Sequence, residues 1–381
     1  MRYPKGLPDN GTIGFAAPSF GCNIEPYRSA FDAGLKMWHE RGYKTKLGPN
    51  CYAGDGIGIS STPESCGREL TEGYCDPGTD LLLSCGGGEL MCEILEHVDF
   101  GRIREAAPKW YMGYSDNTNI TFTLTTMCDV ASIYGPCANE YGMTPLHQSL
   151  KDAASIIMAA DNGATLQADN ETDSTGDAAT DTDDTRTFEF SGYGLWERDG
   201  GRDEEHPYAP YNLTEKTVLH RFIGDGNPLD RDPDKRNEPD SISMKGRLLG
   251  GCLDCLVNLC GTEFDHVGQF NERYASDGVL WFLESCDLNV FSIRRAVWEL
   301  ENAGWFDGAS GFIIGRPLHF DEPQMGLDQY MAVYDILTQH RVPILMDADI
   351  GHLSPMVPLI TGSLAEVTAT GNDWRVSMRL A

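Results

Sequence analysis

Basic charge is what this 381-residue chain has least of. Lysine and arginine together number 29 against 58 aspartates and glutamates, a formal charge of −29, and only nine of the 29 are lysine. A nucleic-acid backbone or an anionic membrane surface requires a basic face, so both partner classes are excluded. Long apolar runs are missing too, and none approaches the roughly 18 residues of a membrane span. Residues 1–8, Met-Arg-Tyr-Pro-Lys-Gly-Leu-Pro, lack the apolar core of a signal peptide. The twelve cysteines are therefore expected as reduced thiols in a cytoplasmic protein, not as a disulfide framework. There is no internal repeat, no Gly-x-Gly-x-x-Gly and no P-loop.

What is present is an alternation of strand and helix signals over the first 135 residues. Apolar runs at 12–17, 43–47, 80–84, 110–113 and 131–134 read as strands. Segments 27–41, 63–74, 89–97 and 117–127 read as helices by apolar spacing. Strands separated by helices predict a parallel sheet covered on both faces, with its ligand site beyond the carboxyl ends of the strands. Composition changes near residue 160, where an acidic stretch over 161–186 is almost free of large apolar groups and cannot build a core. A second globular unit follows, with strands at 278–283, 309–314 and 342–345 and helices at 252–259 and 292–303. The expected organisation is an N-terminal α/β domain over 1–150, an acidic linker over 151–189 and a C-terminal domain over 190–381.

Two stretches stand at predicted strand ends. Gly86-Gly87-Gly88 follows the third strand, where successive backbone N–H groups form a nest for an oxyanion or phosphate; a plain tight turn is the alternative. Met112-Gly-Tyr-Ser-Asp-Asn-Thr118 follows the fourth. A strand that turns sharply into a helix lifts one side chain, here Ser115, clear of both elements. Helix capping by Ser115, Asp116 or Asn117 is the other reading.

Further on, Glu284 closes the apolar run 279–283, where a carboxylate is costly to bury unless paired. A histidine is one natural partner; Arg294 or Arg295 is the purely structural one. His352 lies in a loop between a strand end and Pro355. Serine needs a base to accept its proton, and the base needs a carboxylate to orient it and stabilise its charged form. Cys252, Cys255 and Cys260 with His266 suggest zinc, but their helical spacing among leucines favours buried thiols, and no metal or other cofactor is expected.

The chain resembles the serine LD-carboxypeptidases (peptidase S66), in the branch typified by the microcin C immunity protein. The matching motifs keep one order: Gly14-Phe-Ala-Ala-Pro-Ser19, Ser84-Cys-Gly-Gly-Gly88, Met112 to Thr118, Tyr134-Gly-Pro136, Gly246-Arg-Leu-Leu-Gly-Gly251, Phe282-Leu-Glu-Ser285, Gly311-Phe-Ile-Ile-Gly315 and Gly351-His-Leu-Ser-Pro-Met356. The resemblance implies a flavodoxin/Rossmann-like N-terminal domain and a smaller β-rich C-terminal domain with the site between them. It implies Ser115 as nucleophile, Glu284 as acid, His352 as base, and an oxyanion hole from the N–H groups of Gly87 and Asp116. Gly86, Gly88 and a loop tryptophan, Trp196, are the implied substrate contacts. The implied assembly is a cytoplasmic homodimer, and the implied substrate a muropeptide or other small peptide, or an acyl-adenylate. The acidic insertion and Arg316-Pro317-Leu318, where that branch has Lys-His-Glu, depart from its pattern. A non-catalytic nucleotide- or peptide-binding module and an ordinary α/β-hydrolase esterase are the rival readings; Asn117 fits the second poorly, standing where Gly-x-Ser-x-Gly has its last glycine.

Overall fold

Five short strands near the N-terminus pair in parallel: β1 (Thr12–Ala16), β2 (Lys44–Leu47), β3 (Leu81–Ser84), β4 (Tyr111–Gly113) and β5 (Ser132–Tyr134). The computed structural model describes residues 1–159 and 186–381, so the acidic stretch noted above lies, except for Arg186, outside the described residues. In space the strands run β5-β4-β3-β1-β2, the flavodoxin-like order, whose ligand crevice opens where the order reverses at β1 and β3. The helices of this part are α1 (Tyr27–Glu40), α2 (Pro63–Cys75), α3 (Phe100–Glu105), α4 (Thr118–Cys128) and α5 (Gln148–Met158). The segment read as a helix at 89–97 forms a 3₁₀ helix over Met91–His97.

The remaining strands are β6 (Thr187–Ser191), β7 (Leu195–Trp196), β8 (Glu215–Lys216), β9 (His220–Ile223), β10 (Ser241–Cys252), β11 (Val279–Glu284), β12 (Ala309–Gly315), β13 (Pro343–Ala348), β14 (Leu359–Thr361), β15 (Leu364–Thr370) and β16 (Asp373–Arg379). Eight of them make one mixed sheet in the order β6-β16-β15-β10-β11-β12-β13-β9, while β7 and β8 pair separately. Helices α6 (Leu253–Leu259), α7 (Val267–Arg273), α8 (Val290–Asn302) and α9 (Gln329–Leu337) complete this part. Strand β14 leaves it and pairs antiparallel with β5, placing Leu359 opposite Tyr134 at the edge of the first sheet.

Between the sheets lies α4, buried along its length except at Met127. A helix with no solvent face must satisfy every polar side chain internally. Its threonines do so largely by bonding back one turn, Thr123 Oγ1 to the Asn119 carbonyl at 2.6 Å and Thr126 Oγ1 to that of Phe122 at 2.9 Å. Thr125 Oγ1 also meets Thr361 Oγ1 of β14 at 2.6 Å. On the other side Phe122 stacks on Trp305, with centroids 5.2 Å apart. With Thr118 Oγ1 accepting the Cys252 N–H of β10 at 3.0 Å, the helix that begins at the serine elbow is clamped by both sheets.

A second fixture lies just beyond the end of β1. Glu69 of α2 is buried, and its two carboxylate oxygens accept the N–H groups of Ala17 (3.1 Å) and Asn50 (2.9 Å). Burial pushes its pKa up to about 7, those two N–H donors pulling the other way. The unfolded chain releases this proton near its ordinary 4.5, so between pH 4.5 and about 7 the native state holds more protons and loses stability as pH rises. Glu69→Gln cannot ionise and should flatten that decline. The wild type is expected to lose up to roughly 3 kcal/mol more than the variant between pH 5 and 7.5, as read from urea midpoints at the two pH values.

Candidate active site

The elbow after β4 is built by steric necessity. Ser115 has φ +63°, in the left-handed region that costs a residue with a Cβ roughly 1 kcal/mol. A helix cap does not need this conformation, since capping serines sit in the extended region. The Ser115 hydroxyl is directed elsewhere, 2.8 Å from His352 Nε2. The sequence-predicted caps Asp116 and Asn117 have other partners. Asp116, buried with its pKa pushed up to about 6 by that burial, accepts the Ser19 hydroxyl at 2.5 Å and the Met91 N–H at 3.0 Å. Asn117, in the position of a missing glycine, accepts from the Tyr111 hydroxyl and donates Nδ2 to the carbonyls of Gly86 (2.9 Å) and Tyr114 (3.0 Å). Its amide binds the elbow to the glycine turn, a service no glycine could perform.

That turn needs its glycines for close approach. A Cβ on Gly87 would lie 3.1 Å from Ser115 Cβ, inside comfortable contact, so the turn can rest against the elbow only without one. Gly86, Gly87 and Gly88 line the same cleft of about 450 Å³ as Ser115, Asp116 and His352. The Asp116 N–H lies in the first turn after the elbow, where a helix offers no internal acceptor.

The second half of the site comes from the other sheet. Glu284 ends β11 and is 1% exposed. One carboxylate oxygen meets His352 Nδ1 at 2.8 Å and the other accepts the Tyr134 hydroxyl. Arg294 and Arg295 go elsewhere, to Asp335 and to Ser292. Close approach again depends on a glycine, because a Cβ on Gly351 would stand 2.5 Å from Glu284 Oε2. Burial alone would raise the Glu284 pKa, but the charge and hydrogen bond of His352, with Tyr134 and Cys252, hold it below its ordinary value. Burial alone would lower that of His352, yet the Glu284 carboxylate and the Cys286 thiol hold it well above the usual 6.5. Serine, histidine and glutamate, expected from three strand ends, stand in one hydrogen-bonded line. Such a line can move a proton off a hydroxyl and back onto a departing atom.

Trp196 is not brought to the cleft. Its indole is 3% exposed, packed against Phe320 and the guanidinium groups of Arg316 and Arg198, and donates Nε1 to the Lys216 carbonyl at 3.2 Å. Arg316 is buried as well, paired with Asp349 at 2.5 Å. Among the described residues no group of three or more His, Cys, Asp or Glu side chains could hold a metal ion. Cys252 and Cys255 are instead buried beside the site, the latter's thiol donating to the Ser115 carbonyl at 3.6 Å.

One contributor was not singled out from sequence. The Tyr134 hydroxyl accepts the Ser115 N–H at 3.2 Å while donating to Glu284, joining both ends of the line. Only its place at a strand end, in the motif Tyr134-Gly-Pro136, marked it.

Three outcomes follow for the rate at which a fluorophosphonate labels Ser115, read by intact-protein mass spectrometry. Tyr134→Phe removes a hydrogen bond to a charged group, worth about 1.5–3 kcal/mol, and should slow labelling roughly 10- to 100-fold. The base form of His352 is the neutral one, so wild-type labelling should rise with pH through a midpoint above 6.5. In Glu284→Gln the opposing charge is gone and the histidine gives up its proton more easily. Its midpoint should therefore move down while the plateau falls by roughly 10³- to 10⁴-fold.

Comparison with known proteins gives the family and the fold. Residues 13–135 match the family model of the LD-carboxypeptidase N-terminal domain, and residues 245–367 that of the C-terminal domain. The chain is 21% identical to the Microcin C7 self-immunity protein MccF of Escherichia coli, over 92% of this chain and 88% of that one. It is 22% identical to a protein of Bacillus subtilis named "Probable murein peptide carboxypeptidase", over 95% and 90%. The solved structure of MccF with aspartyl sulfamoyl adenosine superposes with a TM-score of 0.71 at 19% identity, covering 99% of this chain and 98% of that one. With both domain models matched in order, the chain belongs to the LD-carboxypeptidase family, peptidase S66, and its fold is that of the microcin self-immunity protein.

Proposed function

We propose that this protein is a serine amidase in which Ser115 is the nucleophile, His352 the general base and Glu284 its orienting acid. The observation that carries the reading is the continuous chain from Ser115 Oγ to His352 Nε2 and from His352 Nδ1 to Glu284, at 2.8 Å in each link. His352 takes the hydroxyl proton as Ser115 Oγ attacks the amide carbonyl. The N–H groups of Gly87 and Asp116 receive the developing oxyanion. The C–N bond then breaks as His352 returns the proton to the leaving nitrogen. Water, deprotonated by the same histidine, hydrolyses the acyl-enzyme and restores the serine.

Two amides fit this chemistry. One is the L,D-amide of a muropeptide, cut to release a terminal D-amino acid, in keeping with the family's description and with the B. subtilis relative. The other is an acyl-adenylate-like amide, favoured by the likeness to a structure holding aspartyl sulfamoyl adenosine. A panel with one of each, its products identified by mass spectrometry, separates them. Ser115→Ala should lower turnover of whichever is cleaved by roughly four to six orders of magnitude. Near-normal turnover in that variant would sink the mechanism and leave a binding module as the better reading.

A further inference from the structure

Most ionisable groups facing the cleft are acidic. Glu89 lines it beside the glycine turn and Asp254 and Asp287 at the start of α6, in keeping with the charge of the whole chain. Two of its lining side chains can carry positive charge: His352, engaged with Ser115 and Glu284, and Arg202. Arg202 reaches the cleft from a segment after β7 whose base is closed where Glu197 accepts the Asn212 N–H at 2.7 Å.

The guanidinium is supported without a direct ion pair; burial raises the pKa of the neighbouring Glu140 and Glu197 carboxyls, and the Arg202 charge pulls both back down. It lies 5.3 Å from the centroid of the Tyr27 ring, and Nη1 donates to the Asn139 carbonyl over a long 3.4 Å. Among the described residues it forms no ion pair within 4.0 Å. Glu140, nearby and buried, is engaged with the Cys137 N–H (3.2 Å) and the Tyr211 hydroxyl (3.3 Å). Asn139 in turn donates Nδ2 at 2.7 Å to the carbonyl of Cys85, the residue just before the glycine turn. Arg202 is therefore tied, through one residue, to the turn that faces Ser115.

We propose that Arg202 binds the terminal carboxylate of the substrate's leaving residue and so makes the amidase act on free C-termini. The inference rests on the amidase reading and adds to it a residue that selects substrate. A guanidinium matches a carboxylate with two parallel N–H donors, and this one already lies over the Tyr27 ring. A carboxylate turned the other way would meet Asp254, Asp287 and Glu89. The charges thus set direction, with the leaving residue toward Arg202 and the acyl portion toward α6, where a substrate ammonium is accommodated.

The test uses L-lysyl-D-alanine and its C-terminal amide, which differ only in that carboxylate. Calorimetry on Ser115→Ala, which cannot turn them over, should show the free acid binding roughly 10- to 100-fold more tightly than the amide. In Ser115→Ala/Arg202→Ala the ratio should fall to near one. Arg202→Lys in the same background keeps the charge and the stem packing but not the fork, and should hold an intermediate ratio, which also guards against local unfolding in the alanine variant. Equal affinities in Ser115→Ala, no binding of the free acid, or a ratio that survives Arg202→Ala would overturn the assignment. Fluorophosphonate labelling of the wild type is run in parallel. Absence of labelling at Ser115 overturns the amidase reading, whereas labelling with no carboxylate preference overturns only the role of Arg202.

Discussion

One buried negative charge organises the molecule. Glu284 sits where both sheets meet, and a carboxylate removed from water is tolerated only if donors surround it. Those donors come from separated parts of the chain: Tyr134 from the last parallel strand of the first sheet, His352 from the loop after β13. Each contact therefore requires both sheets to be in register. Strand β14, which begins where the histidine loop ends, supplies that register by pairing Leu359 with Tyr134. Packing, pairing and the proposed proton transfer thus share one set of atoms, and a shift that loosens the sheets also strands the charge.

The first sheet was largely legible in the sequence because its strands are short apolar runs separated by periodic helices. The five expected strands all occur, with ends moved by a residue or two. Of the eight strands of the C-terminal sheet, three were legible, β11, β12 and β13. Strand β10 alternates buried and exposed residues from Ser241 to Lys245 and then becomes fully buried through Gly250-Gly251. That pattern reads as a glycine motif leading into a helix, not as a strand of twelve residues. Strands β15 and β16 are alternating hairpin partners whose polar faces look like loop. Helix α9 went unnoticed as well.

The site followed a similar division. Ser115, Glu284 and His352 were visible because each ends or follows an apolar run, and in an α/β sheet those positions converge. Tyr134 and Arg202 were not, because their importance arises from partners distant in sequence. Glu284 is 150 residues from Tyr134, and Asn139 is 63 from Arg202. Trp196, expected at the substrate by resemblance, is held by Arg316 and Phe320 instead. Arg316, the departure from the branch's pattern, and the buried tryptophan are thus one structural unit. Local sequence could not show that, since the two meet only through side chains from separate sheets, Trp196 on β7 and Arg316 just after β12.

The return of β14 to the first sheet has a temporal consequence. The serine elbow and glycine turn are complete in sequence by residue 128, but the strand that closes the sheet edge beside Tyr134 is residues 359–361. His352 and Glu284 are also made late. A nascent chain thus carries Ser115 through more than half of its synthesis with an open sheet edge and without either partner. In the amidase we propose, reactivity would be postponed until the last strands arrive, and connectivity alone would serve as the timer.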